Sequence, residues 1–481
     1  MTPPSLRELA LVLAVGGFGA MFSIALSFRG PAMADEFVYE AGAHRFADTS
    51  SLASTYYFAD SILAIGHPHQ DAHSPGYVMV LGAVNRILGP GYWSAVALNV
   101  VSLLTSLGLL WSLACSLGRP MGVRLLTMAA VALPALFAYA SWVMPEWLVV
   151  ASSLTTLWVA VRWGMRPFGA VLCGLALGGC VLIRESGIFL IPAVMLLVGA
   201  SRLRLSLFAG SFLAFCFLVW VPLNAGRPPV VTTTVSGSGG NSEAYRAMRD
   251  GQFRSAADQL ARRVERNLSS LPKAEYEQQL TLFLMLALAA LSWVSWGEMV
   301  HRARLTLIGL SVGMAAMVLA TLTVSDLVNW NGPRYWTILA VAFFPLMPAP
   351  INRGRSMALF AVMALSLVTA LSILFTLRRF KSQGQGSPMD EVAYFDRYAP
   401  PGSYSVVVWQ NGYQLGLAHF PADVIVSIPR SQKDYRALER KVWFDYVVLS
   451  TWQDVLDTDG HYALVNQSDP NPVLKVFRRL R

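Results

Sequence analysis

Charged residues make up only 14% of the 481 positions of this chain, so the few that sit beside apolar segments stand out as chemistry. Asp35 and Glu36 are adjacent in Arg29-Gly30-Pro31-Ala32-Met33-Ala34-Asp35-Glu36-Phe37, directly after the first apolar segment. Two carboxylates at a membrane boundary mark a functional site; the alternative is a solvated loop, or charges that stop the helix. Glu146, in Pro145-Glu146-Trp147, is costly beside apolar spans unless it faces water or a partner, and it could also serve as a helix cap. Arg184 in Arg184-Glu185-Ser186 has two readings: a buried ion pair with the adjacent Glu185, or a guanidinium offering paired donors to phosphate oxygens. Arg334 in Asn331-Gly332-Pro333-Arg334-Tyr335-Trp336 begins an apolar span, where free backbone N–H groups and the helix dipole also favour an anion. Tyr335 and Trp336 fit an interfacial aromatic belt. The run His67-Pro68-His69-Gln70-Asp71-Ala72-His73-Ser74-Pro75 offers three histidines and an aspartate to a divalent metal. Two prolines interrupt it without regular ligand spacing, which favours a lone polar role for His73.

The elements that must position these groups are membrane helices. Hydrophobic residues are 55% of the chain and its mean hydropathy is positive, as expected of a polytopic α-helical membrane protein. Apolar spans are expected near 8–28, 92–117, 124–141, 145–162, 167–183, 187–201, 205–224, 279–297, 304–323, 335–350 and 355–377, about eleven in all. Arg7, Arg119 and Arg124, Arg162 and Arg166, Arg202 and Arg204, Arg302 and Arg304, and Arg353 and Arg355 fall at alternate connections. The positive-inside rule puts those connections in the cytoplasm, provided that Gly76 to Leu88, short and holding Asn85 and Arg86, does not span. The amino terminus is then cytoplasmic and the carboxyl-terminal region extracytoplasmic, with Arg378-Arg379-Phe380-Lys381 an exception to the rule. Ala32-Met33-Ala34 resembles a signal-peptidase site, but the apolar run is longer than a signal core and Arg29 intervenes, so a retained helix is expected. The short cytoplasmic loops suit a bacterial inner membrane. The net charge of +9 is orientation information and no nucleic-acid footprint. Cys115, Cys173, Cys180 and Cys216 all lie in apolar segments, which implies no disulfide framework.

Three regions face outside: a first loop near 29–75, a loop near 225–278, and a domain from about 385 to 481, beyond a membrane domain of residues 1–380. The middle loop opens on the flexible Thr232-to-Gly240 run and continues as an amphipathic helix with Phe253, Ala257, Leu260, Val264 and Leu268 on one face. Its basic residues suit anionic headgroups of membrane lipids or a phosphate-bearing ligand. In the terminal region, Ser405 to Trp409, Asp423 to Ile428 and Tyr446 to Ser450 read as strands, and Tyr413 to His419 and Gln432 to Val442 as helices. A small α/β domain with a partly parallel sheet follows, without a Gly-rich phosphate loop or nucleophile elbow.

In order and sidedness these motifs resemble the C-type (GT-C) membrane glycosyltransferases, in the branch of dolichyl-phosphate-mannose protein mannosyltransferases and bacterial aminoarabinose transferases. The likeness runs from Asp35-Glu36 through His73-Ser74-Pro75-Gly76, where that family has a His-Pro-Pro-Leu-like turn, to Glu146, Arg184, and Arg334-Tyr335 before Pro345. This chain lacks the double proline and has a glutamate where an aspartate is commoner. The resemblance implies a polyprenyl-phosphate sugar donor and a glycan, lipid or protein acceptor on the outer side of the membrane. It makes Asp35 the general base and lets Glu36 and Glu146 orient the acceptor. His73, Arg184, Arg334 and Tyr335 then bind substrate, the arginines holding the lipid-phosphate leaving group. It implies no certain cofactor, and a divalent metal stays open. The rival readings are a transporter or flippase with the same charges along its path, or a non-catalytic assembly subunit. The absence of an internal repeat speaks against the first.

Overall fold

The structure is a computed structural model that describes residues 6–27, 34–54, 56–58, 69–70, 75–128, 142–224, 250–270, 276–324, 339–348, 405–408, 425–428, 444–450, 461–469 and 474–480, with single positions 130, 140, 247, 248, 363, 394, 395, 397, 398, 435 and 436. Among them, three helical runs are long and apolar enough to cross a bilayer: Tyr92–Ser116, Arg202–Leu223 and His301–Thr323. At 1.5 Å per residue, the 25 residues of the first extend about 37 Å, more than a hydrocarbon core. The second passes through a π turn, Cys216–Trp220, and leaves Phe217 and Leu218 68% and 78% exposed. Apolar surface of that extent is covered by lipid in a protein of this composition.

The bundle is built from α1 (Leu6–Ser27), α3 (Pro75–Leu88), α4 (Tyr92–Ser116), α5 (Met121–Thr127), α6 (Glu146–Trp163), α7 (Pro167–Ile183), α8 (Ile191–Val198), α9 (Arg202–Phe215), α11 (Tyr276–Val294) and α12 (His301–Val324). Between them, α2 (Ala34–Thr49) follows α1 and α10 (Phe253–Ser270) precedes α11. The core joins α4, α6, α7, α8 and α12 through side chains such as Leu103, Trp111, Trp147, Leu157, Leu177 and Leu307.

Basic residues mark one end of this bundle. Arg124 in α5 pairs with Glu8 of α1 at 3.3 Å, and Arg119 donates to the Met347 carbonyl at 2.5 Å. Arg302 at the start of α12 donates to the Val161 carbonyl at 2.9 Å, and Arg204 in α9 to the Met165 carbonyl at 2.7 Å. Connections far apart in sequence thus meet at one boundary, as the alternation of charge requires. Arg353 and Arg355 lie outside the described residues.

Several elements differ from expectation. The span near 187–201 starts as a 3-10 turn, Glu185–Leu190, and only then becomes α8, whose eight residues are too short to cross a membrane. The α-helix within 335–350 stops at Val341, and a 3-10 turn, Phe344–Leu346, follows, because Pro345 cannot continue the backbone ladder. The segment from Gly76 to Leu88 lies in the 14-residue helix α3, Pro75–Leu88, which is shorter than the roughly 20 residues a span needs. On α10 the buried side chains are Ala256, Arg263 and Asn267, whereas Phe253, Ala257 and Leu268 of its apolar face are exposed. Asn267 explains this orientation: its amide donates at 2.5 Å to the Leu322 carbonyl, one of the last in α12 that no helical N–H reaches.

The first loop, for which the sequence suggested no elements, holds α2 and three short strands, β1 (Ala53–Ser54), β2 (Tyr56–Phe58) and β3 (His69–Gln70). β1 and β3 pair antiparallel. In the terminal region β4 (Ser405–Val408), β5 (Ile425–Ile428) and β6 (Tyr446–Ser450) lie within two residues of their expected ranges, followed by β7 (Tyr462–Leu464) and β8 (Leu474–Arg479). The sheet order is β2-β5-β4-β6-β8-β7, parallel from β2 to β6 and antiparallel beyond. Its first strand therefore comes from the first loop, with Tyr56 opposite Val426 and Phe58 opposite Ile428. The expected helix at 413–419 lies outside the described residues, as does 432–442 apart from Tyr435 and Arg436. A buried polar clasp fastens the segment before β4 to the sheet: the Tyr394 hydroxyl donates to Asp469 Oδ2 at 2.6 Å and accepts from Asn466 Nδ2 at 2.9 Å. The Val476 N–H donates to Asn466 Oδ1 at 3.1 Å.

Candidate functional site

At the end of the bundle opposite the basic connections, α6 begins at Glu146. Pro145, with no N–H to lose, precedes the helix, and its carbonyl accepts the first intrahelical bond from Val149 at 2.8 Å. A carboxylate in the first turn suits the positive end of the helix dipole. The turn leading to it is held from below by Asn99, fully buried within α4, whose amide donates to the Trp142 carbonyl. Asn99 went unused in the sequence reading, although a lone amide inside an apolar span is itself a signal.

Arg184 ends α7 in an extended conformation, φ −158°, where the chain leaves the helix for the 3-10 turn. Its guanidinium turns onto Glu146, with Nη1 donating to Oε1 at 2.7 Å; Glu146 is 0% and Arg184 6% exposed. Arg184 thus belongs to a buried ion pair, but its partner is Glu146 and not its sequence neighbour Glu185, which is exposed. A charge pair taken this far out of water is viable only with tight geometry, which a 2.7 Å contact supplies.

The turn that follows His73 and Ser74 lands on the same spot. Gly76 in the first turn of α3 sits so close to α7 that a Cβ there would lie 2.6 Å from the Leu182 carbonyl oxygen and 2.7 Å from the Ile183 nitrogen. Only glycine permits that approach, two residues from Arg184. Against α3 packs α2, and the two run parallel: Tyr39 meets Tyr77 edge-to-face at 4.9 Å, and further along Arg86 donates to the Phe46 and Ala47 carbonyls. Parallel packing puts both amino-terminal ends together, so the first turn of α2, with Asp35 and Glu36, lies at the end of the bundle where Gly76 and Arg184 meet. Asp35 and Glu36 lie in the first turn of a helix, so the loop reading does not describe them. One turn on, Glu40 is 2% exposed, a buried carboxylate that the sequence reading passed over.

Beneath the ion pair a cavity of about 360 Å³ opens between α3, α6 and α7, lined by Gly76, Met79, Ser152, Thr155, Gly179 and Ile183 among others. Its wall is almost wholly apolar, suited to hydrocarbon. Arg334 and Tyr335 lie outside the described residues, as do His67, Asp71 and His73, while the backbone of His69 belongs to β3. Among the described residues no group of three or more His, Cys, Asp or Glu side chains is placed to hold a metal ion.

This architecture, apolar helices with a structured first loop and a mixed terminal sheet, is the GT-C fold of membrane glycosyltransferases. Among solved structures the chain is similar over its whole length to ArnT from Cupriavidus metallidurans. The TM-score is 0.61 against the apo state, with 12% identity over 98% of this chain and 97% of ArnT. Against ArnT bound to undecaprenyl phosphate it is 0.59, with 11% identity over 99% of both chains. The Archaeoglobus fulgidus oligosaccharyltransferase, in complex with zinc and sulfate, shares the fold at a TM-score of 0.51 and 14% identity, over 90% of this chain and 67% of that one. No family model and no curated protein sequence matches the chain.

Proposed function

We propose that this protein transfers a sugar from a polyprenyl-phosphate donor to an acceptor hydroxyl at the outer boundary of the membrane. The observation that carries this reading is the gathering of the α2 amino terminus, the α3 entrance and the Glu146–Arg184 pair at one end of the bundle, above an apolar cavity. The ArnT structure that holds undecaprenyl phosphate has the same fold and supports a lipid-phosphate donor here.

In the proposed step the acceptor hydroxyl oxygen attacks the anomeric carbon while its proton passes to the Asp35 carboxylate. The bond between that carbon and the phosphate oxygen breaks, and the polyprenyl phosphate leaves with the electron pair. A single displacement of this kind inverts the anomeric centre. Proton removal by a positioned carboxylate contributes about 10²- to 10⁴-fold. Glu36 orients the acceptor. Arg334, with Tyr335 beside it, and Arg184 stabilise the charge growing on the phosphate, as guanidinium groups do for phosphate oxygens. Glu146 then acts on Arg184 by holding its fork in place. His73 binds the donor.

The energy of transfer is stored in the donor's phosphate linkage, so no nucleotide-binding motif is required. The test is sugar transfer by purified protein from a polyprenyl-phosphate sugar to a soluble acceptor, with Asp35→Asn alongside. We expect transfer by the wild type and a loss of at least about a hundredfold in the variant. Full activity in a folded Asp35→Asn protein would refute the assignment.

A further inference from the structure

A second cavity, of about 550 Å³, lies at the opposite, basic end of the bundle. It is lined by Met165, Met195 and Leu305 on its apolar side and by Arg204, His301 and Arg302 on its polar side. No carboxylate lines it among the described residues. Arg204 and Arg302 spend one N–H each on the Met165 and Val161 carbonyls, and neither forms an ion pair among the described residues. The Nε of Arg204 is buried with no acceptor. Gly199, at φ +81°, makes this possible: a side chain there would press at 3.3 Å on both Arg204 Nη2 and Met165 Sδ. The amino termini of α9 and α12 also converge on the cavity, adding two positive dipole ends to the cationic side chains. Both helices are long apolar runs that begin here, which sets the cavity at a membrane surface, the cytoplasmic one by the positive-inside rule.

We propose that this cavity is a binding site for an anionic phospholipid of the surrounding leaflet. Its phosphate sits between Arg204, Arg302 and His301, and its acyl chains run along the trough of Met165, Met195 and Leu305. Two features select this occupant. Unneutralised cations demand an anion, and an apolar trough continuous with that anion site demands hydrocarbon. The site stands independently of the transfer chemistry at the other end of the bundle.

Native mass spectrometry of the full chain, released from nanodiscs of mixed phosphatidylcholine and phosphatidylglycerol, tests this. We expect phosphatidylglycerol to be retained in preference to phosphatidylcholine. Substituting R204Q and R302Q together removes two charges near a surface and should weaken retention by about thirtyfold, glutamine keeping a donor for each backbone carbonyl. Leu305→Trp, which fills the trough and leaves both arginines, should also expel the lipid. Equal retention of the two lipids, or undiminished phosphatidylglycerol in folded Leu305→Trp, overturns the proposal. Displacement of the lipid by glycerol 3-phosphate as effectively as by short-chain phosphatidylglycerol would make the site one for free phosphates and overturn it too.

Discussion

A guanidinium and a carboxylate 2.7 Å apart and shut away from water are worth most when neither can be removed alone. Glu146→Gln leaves the Arg184 charge buried without its counterion, which costs about 3–5 kcal/mol, and Arg184→Met strands Glu146 in the same way. Pairing Glu146→Gln with Arg184→Met should recover much of the loss, so the two do not add. Denaturant unfolding of the four proteins in micelles measures the coupling; additive losses would mean that the contact is not a working pair. The sequence showed both residues as costly charges beside apolar spans but not their union, because the partners lie 38 positions apart on different helices. Glu40 and Asn99 escaped notice for a related reason. A single carboxylate in a polar stretch and a single amide in an apolar one become informative only when their burial is known.

Helix contacts set the position of those residues. Gly76→Val would put a branched side chain into the backbone at Leu182 and Ile183, forcing α3 away from α7. Overpacking of this kind costs about 1–3 kcal/mol in stability. Because α2 moves with α3, sugar transfer should fall by more than the loss of folded protein explains, which activity per folded molecule reports. Gly82 sits one turn and a half further along α3 and α2 packs there too, so Asn99→Leu makes a cleaner control for the other half of the site. It leaves the Trp142 carbonyl without its donor, at about 1–3 kcal/mol, and should disturb Glu146 while sparing α2. Helices such as α4 and α7 were legible almost to the residue from their apolar runs. α2 was not, because its sequence, ADEFVYEAGAHRFADT, has no apolar stripe strong enough to separate it from a loop. The apolar stripe of α10 was legible in the sequence, but its contact with α12 was not, because a single amide, Asn267, makes it.

For the molecule as a whole, alternation of basic connections predicts that Ser201 and Phe253 lie on opposite sides of the membrane. Single cysteines at the two positions should show this: a membrane-impermeant thiol reagent on intact cells should label Phe253→Cys and reach Ser201→Cys only after permeabilisation. The reverse pattern would invert the topology and move the proposed transfer site to the cytoplasm. The terminal sheet carries its own signature. Burial, with the Asp469 carboxylate at 2.6 Å, pushes the Tyr394 phenol above its ordinary range. The unfolded phenol therefore ionises first, and stability that is intact below about pH 10 falls as the pH rises beyond it. Near-ultraviolet circular dichroism through alkaline pH should show that loss, and Tyr394→Phe should flatten it. The strands β4, β5 and β6 could be read from their runs of branched and aromatic residues, but the neighbour of β5 could not. Pairing across more than 360 positions leaves no local trace, and a three-residue strand has too little pattern to announce itself.

That pairing of β2 with β5 also sets a timetable for biosynthesis. Tyr56–Phe58 emerges from the ribosome early, but its partner, Ile425–Ile428, follows only after the membrane helices have been made. The segment between α2 and α3, which carries His73, cannot be latched at that strand until residues 425–428 have been made. A nascent chain halted before residue 425 would therefore hold membrane helices whose first loop still lacks its far anchor, and that anchor is translated more than 360 positions after the loop itself.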